Sequence, residues 1–310
     1  MVGSTRIGAD SVAALARELG VDRTFQCLKG ILDHADRRFR AALCTLPDGR
    51  YEGVEITDND CFESVDIEIR AAVEISGDSV TVDSTGTDPQ IKDFKNSSIA
   101  NTHSAVFLAF TTFFDPDIPR NEGTYRAIEI IVPEGTIINA RAPAPMTMCT
   151  VSVGHEIIHA VWKALAQADP SRASAGWAKN IHGGTAGGIG TDRPFMIYHW
   201  NAMPGAGTFR GGTGVDYEAE VTGASQHSFR GEGLATPSGY GTQGGGGWGD
   251  PLGRDPDLAL RDVRDGLVSR AAARDIYGVI VDDDGRSLDL AATQHCRDSL
   301  RQPEYTPALS

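Results

Sequence analysis

The sequence predicts an α+β fold with mostly antiparallel sheet, and three observations point to it. Over the first 46 residues apolar positions recur at spacings of three and four, the stripe of amphipathic helices. Over 65–82 they alternate with polar residues around Gly77-Asp78, the pattern of a half-buried hairpin. Glycine is also concentrated: of 36 in the chain, 20 fall within 183–249, and that stretch reads as extended rather than helical.

Taken in order, Asp10 is placed to cap a helix over 11–19 that stops at Gly20. A second helix covers 22–46. Its Phe25, Leu28, Leu32, Ala35, Phe39 and Leu43 share one stripe, so it packs on something larger. Pro47-Asp48-Gly49 is a turn. Strands follow through Val65, Ile67, Ile69, Val73 and Ile75, then Val80 and Val82, with Glu63, Asp66, Glu68, Glu74 and Asp83 on a solvated opposite face. Residues 101–114 form an apolar buried helix that ends at Asp115-Pro116. Residues 127–132 and 136–139 read as a strand pair, and 141–145 as a polyproline II-like connector. A helix over 150–168 closes at Asp169-Pro170.

The glycine-rich stretch is not a linker. It holds Phe195, Tyr198, Trp200, Phe209, Tyr217, Phe229, Tyr240 and Trp248, which linkers lack. Packed polyproline II-like or irregular β segments fit it best. Order then returns as a helix over 257–277, a strand over 279–281, a turn at Asp283-Asp284-Gly285 and a last helix capped by Asp289. The expected organisation is 1–180, a helical start with a sheet and buried helices, and 181–310, an extended module with C-terminal helices. The two interlock as one domain.

Composition excludes several partners. Lys and Arg total 28 against 42 acids, a net charge of −14, so phosphate backbones and anionic membrane surfaces are disfavoured. No apolar run approaches the ~20 residues of a membrane span, and MVGSTRIGADS has no apolar signal core. The five cysteines are scattered, with no CxxC, as expected of reduced cytoplasmic thiols. The expectation is a cytoplasmic protein.

His155-Glu156-Ile157-Ile158-His159 spells HExxH, in which two helical histidines hold zinc and the glutamate activates water. No downstream residue follows the known spacing of a third ligand. His155 and His159 fall at the polar margin of a face built from Val151, Ile157, Ile158, Val161, Trp162 and Leu165, where structural histidines sit. Gly239-Tyr-Gly241-Thr-Gln-Gly244 matches GxGxxG, but more glycine follows instead of a helix. There is no P-loop sequence. Gly244, Gly245, Gly246 and Gly247 could cradle an anion on backbone N–H groups, although a tight backbone crossing explains them more simply. His103, His182 and Asp192 are isolated polar candidates for catalysis.

The ordered motifs do more than any one alone. They are Pro47-Asp48-Gly49-Arg-Tyr51, then Val82-Asp83-Ser-Thr-Gly86 with Gln90, Asn96 and Asn101, then Asn121-Glu-Gly123-Thr-Tyr-Arg126, Val132-Pro-Glu-Gly135 and Arg141-Ala-Pro-Ala-Pro145. Phe209-Arg-Gly-Gly-Thr-Gly214, Gly244-Gly-Gly-Gly-Trp-Gly-Asp-Pro251, Asp255-Pro256, Asp262-Val263, Asp265-Gly266-Leu-Val-Ser269 and Ile276-Tyr-Gly-Val279 complete the set. The chain resembles the hydantoinase B/5-oxoprolinase family, which includes ketone carboxylase subunits. Its length is most similar to a small subunit of an acetophenone carboxylase-type complex.

The resemblance implies sheets in a barrel-like or sandwich arrangement with flanking helices and a glycine-rich polyproline II-like bundle. It also implies that the family's N-terminal metal-site region and part of 214–244 are missing here, and that the HExxH helix is an ordinary one. ATP and a divalent metal would then sit on partner subunits, among them an ATP-binding hydantoinase A-like subunit, with no cofactor held by this chain. The expected function is a subunit of an ATP-dependent ketone carboxylase. The alternatives are a subunit of an ATP-dependent cyclic-amide hydrolase acting on a hydantoin, oxoproline or lactam, a non-catalytic assembly subunit, or an HExxH zinc hydrolase. The substrate would be a small ketone or cyclic amide.

Overall fold

The computed structural model describes residues 2–60, 62–147, 149–150, 153–173, 183–189, 194–199, 208–210, 226–230 and 249–301. Two helices open the chain, α1 (Val2–Leu19) and α2 (Val21–Leu43). They are separated only by Gly20, whose φ of 85° lies in the left-handed region that glycine tolerates. α1 begins well before Asp10, which lies inside it rather than at its cap.

A four-stranded sheet follows, in the order β1 (Gly49–Thr57), β2 (Ile67–Ser76), β3 (Ser79–Asp83) and β4 (Ile128–Ile131). The first two pairings are antiparallel and β3–β4 is parallel, so the sheet is mixed. It is open, with β1 and β4 at its edges, and does not close into the expected barrel. β4 pairs with β3 rather than with 136–139, which instead makes a turn tied by isolated bridges. The 141–145 connector turns at Ala142-Pro143, a cis peptide, instead of running straight.

α3 (Ile99–Phe113) and α5 (Val153–Ala168) cover the sheet, and the short α4 (Glu122–Tyr125) leads into β4. Ser98 caps α3 by accepting from Asn101 N. α5 packs across β1 and β2, and α3 packs against α5. The main core joins Phe39 and Leu43 of α2, the inward β2 and β3 residues, Phe110 of α3 and Leu165 of α5. Phe39 meets Phe110 and Phe114 edge-on, at centroid distances of 6.1 and 5.6 Å.

Within the glycine-rich stretch, β5 (Gly183–Ile189), β6 (Pro194–His199) and β7 (Gln226–Arg230) form an antiparallel sheet in the order β6-β5-β7. These segments are therefore β rather than polyproline II. The expected 257–277 helix is broken into α6 (Pro256–Arg264) and α7 (Arg270–Asp275) around Gly266, whose φ is 72°. With α8 (Leu290–Leu300), capped by Asp289 as expected, they surround a second small core of Leu260, Tyr277 and Val279.

Candidate functional site

The densest buried polar group lies between β1 and α5. The alternation of β1 turns Gly53, Glu55 and Thr57 inward and leaves Val54 and Ile56 partly exposed. This reverses the usual rule and hides the strand from a hydropathy reading. Glu55 keeps only 1% of its surface.

The helical period supplies the opposing face. Glu156, His159, Ala160, Lys163 and Gln167 follow one another at intervals of three, one, three and four, so they line one stripe of α5. Gly53 allows this stripe to come close: a Cβ there would stand 1.9 Å from the Ala160 carbonyl oxygen. Lys163 Nζ then reaches Glu55 Oε2 at 3.0 Å, and His159 Nδ1 stands 4.0 Å from the same oxygen. Lys163 Nζ also donates to Val54 O at 3.0 Å, and Gln167 Nε2 to Glu52 O at 2.6 Å. Both bonds tie α5 to the backbone of β1, an edge strand of the sheet.

A second buried group continues from the end of β1. Lys95, 2% exposed, donates through Nζ to Asn59 O at 2.9 Å and to Asn59 Oδ1 at 2.6 Å. Asn59 Nδ2 donates to the buried Asp58 at 2.9 Å. Asp60 Oδ1 accepts from the Glu63 and Phe62 amides, which hold its carboxyl below the usual range, with a smaller contribution from the Lys95 charge.

The HExxH residues are placed in this setting. His155 is half-buried, and burial holds its pKa below the ordinary imidazole value. His159 is 3% exposed rather than marginal, and its ring stacks on Trp162 at 5.8 Å between centroids. Glu156 is buried at 2%. Among the described residues no three His, Cys, Asp or Glu side chains converge on a metal position. The array is sealed beneath a helix, so it positions β1 and α5 rather than meeting a substrate.

Of the other sequence candidates, His103 is on α3, half-exposed, with its ring edge-on to Phe107 at 6.1 Å. Phe107 in turn stacks on Tyr125 at 4.0 Å. His182, Asp192 and Gly244, Gly245, Gly246 and Gly247 lie outside the described residues. Sequence reasoning missed Glu55, Lys95 and Lys163. The one available signal was a glutamate at an inward position of a strand facing a helical lysine.

The motif residues take structural posts. Asn96 Oδ1 accepts from Ile91 N at 2.8 Å, while its Nδ2 donates to Ile91 O, Asp93 O and Pro145 O. Asn101 Nδ2 donates to Cys149 O at 3.0 Å and Gln90 Oε1 accepts from Arg141 N at 2.7 Å, so three motif side chains hold the 141–149 connector. Asp48 accepts from Gly77 N at 2.8 Å. Arg210 pairs with both Asp262 oxygens, at 3.1 and 3.2 Å, and Arg254 with one at 2.7 Å.

Comparison with known proteins agrees with this pattern. Residues 1–204 match the family described as hydantoinase B/oxoprolinase. The caprolactamase subunit beta of Pseudomonas jessenii is 30% identical over 94% of this chain and 67% of its own length. The crystal structure of the ATP-dependent caprolactamase from the same species superposes with a TM-score of 0.68 at 27% identity, covering 96% of this chain and 68% of that one. Nucleotide-free acetone carboxylase superposes with a TM-score of 0.72 at 16% identity, over 96% of this chain and 58% of that one, a likeness of fold. The chain thus spans about two thirds of the length of the curated relatives it matches. A family match over 1–204 and shared sequence across most of its length make this chain a member of the hydantoinase B/oxoprolinase family.

Proposed function

We propose that the chain is a subunit of an ATP-dependent complex that opens a cyclic amide, a lactam or a hydantoin. The observation that carries this reading is the 30% identity to a caprolactamase beta subunit across nearly the whole chain. The sequence motifs had put ketone carboxylation first. The carboxylase likeness stands at 16% identity and speaks for the fold, so carboxylation becomes the second reading, carried by the ordered sequence motifs.

In both readings an ATP-binding hydantoinase A-like partner supplies phosphoryl activation, and a divalent metal sits on partner subunits. What this chain contributes is a rigid wall. α5 is locked to β1 by Glu55, Lys163 and Gln167, and a fixed wall keeps water from an activated intermediate. His103, His182 and Asp192 are the side chains proposed to face substrate, with Gly244–Gly247 as a proposed anion cradle. Assembly in the cytoplasm belongs to the same proposal.

The test is reconstitution with the ATP-binding partner, reading ADP release. ADP release that depends on a lactam or hydantoin and is indifferent to bicarbonate is expected. Release that needs both a ketone and bicarbonate would replace this reading with the carboxylase. Full turnover without this chain would reduce it to an assembly subunit.

A further inference from the structure

The α1–α2 hairpin carries an apolar surface that stays exposed among the described residues. α1 has no buried residue at all. The stripe of α2 is continuous, yet only its C-terminal half, Ala35, Phe39 and Leu43, enters the core. Along its N-terminal half, Phe25 is 67% exposed, Leu28 44% and Ile31 53%. An unpacked helix of this length is marginal in water, so α1 needs a covering surface.

The hairpin is held out rigidly. Gly123 of α4 packs so closely on α2 that a Cβ would stand 2.0 Å from the Leu32 carbonyl oxygen. Arg126 pairs with Asp33 at 2.8 Å on the same side. Beyond this anchor the two helices enclose a groove of about 510 Å³. Its α1 wall is built mostly of small residues, Gly8, Ala9, Ala13 and Ala16 around Val12, and its α2 wall carries the large Phe25 and Leu28.

We infer that this groove is the interface with a second copy of the chain. Small on one helix and large on the other is self-complementary: across a two-fold axis, Phe25 and Leu28 of each copy seat against Ala9, Ala13 and Ala16 of its mate. The exposed apolar side chains of the two helices, Ile7, Val12 and Leu15 included, present on the order of 800 Å², the share of one partner in a standard interface. Charge permits it as well. The chain carries −14, but over 2–34 Arg6, Arg17, Arg23 and Lys29 balance Asp10, Glu18, Asp22 and Asp33. Two copies therefore meet on a region where like net charge does not oppose them.

Sedimentation of the full chain from about 1 to about 100 μM tests this, since an interface of this size associates within or below that range. The parent chain is expected to become dimeric, with hydrogen-exchange protection of the α1 amides rising in step. Phe25→Asp and Ala13→Asp are each expected to weaken self-association at least tenfold, whereas Gln26→Glu, on the opposite side of α2, leaves it unchanged. Far-ultraviolet circular dichroism confirms that each variant is folded. A monomeric parent chain throughout, or variants that dimerise as well as it does, overturns the proposal. So does a groove that closes only on a different subunit.

Discussion

His155 is neutral at physiological pH because burial opposes its charging. Its folded pKa lies below the ordinary value of about 6.5, so the unfolded chain takes up the proton first. Stability from this residue is complete above that ordinary value and falls as pH drops through it toward the folded pKa. His155→Gln should therefore lose less stability than the parent on going from about pH 7 to about pH 5, read as urea midpoints. Identical pH slopes would remove the effect. At this scale the sequence was legible in identity rather than in role. Asn96, Asn101, Asp48 and Asp262 stood out as motif members, and each turns out to hold backbone or arginine in place. A pattern of letters cannot separate an anchor from a catalyst, because both require one residue type at one position.

At the scale of elements, legibility followed the agreement between hydropathy and burial. The C-terminal half of the α2 stripe, the β2–β3 hairpin, α3 and α5 were readable because their apolar faces are the buried ones, and α8 was readable from its Asp289 cap. β1 was not, because it buries Gly53, Glu55 and Thr57. The candidate site was lost with it. Two glycines measure the difference between close and open backbone. Gly53→Ala pushes a methyl into the α5 backbone and should cost about 1–3 kcal/mol, with the Glu55–Lys163 pair loosened. Gly30→Ala, on an open face of α2 with nothing within 4 Å, should instead stabilise by about 0.5–1 kcal/mol. Chemical denaturation of the two variants reads both signs, and a neutral Gly53→Ala would mean that the seam has slack.

For the molecule as a whole, the question is what joins the C-terminal helices to the rest. Asp262 is buried at 5% and shared by Arg210 and Arg254, so one carboxylate compensates two guanidinium groups. Removing its charge leaves those cations facing each other in a dry setting. Asp262→Asn should cost about 3 kcal/mol and expose 249–301 to limited proteolysis before the sheet domain unfolds. Unfolding of both parts together at the parent's midpoint would show that the clasp carries nothing. The overall charge had suggested only what the protein avoids, and it could not reveal that a few buried ion pairs set its internal joints.

The same corner has a consequence for where the chain tolerates added length. Thr208 N meets Gly249 O at 3.4 Å, and Thr208 Oγ1 donates to Asp250 O at 2.6 Å. The chain is therefore clipped to itself on either side of β7, the strand that returns to pair with β5. Doubling the length of a loop closed in this way costs only about 0.6 kcal/mol of closure entropy. Added length between the clip and β7 is thus cheap to close, and a protein engineer could place a reporter domain there while keeping the β5–β7 pairing.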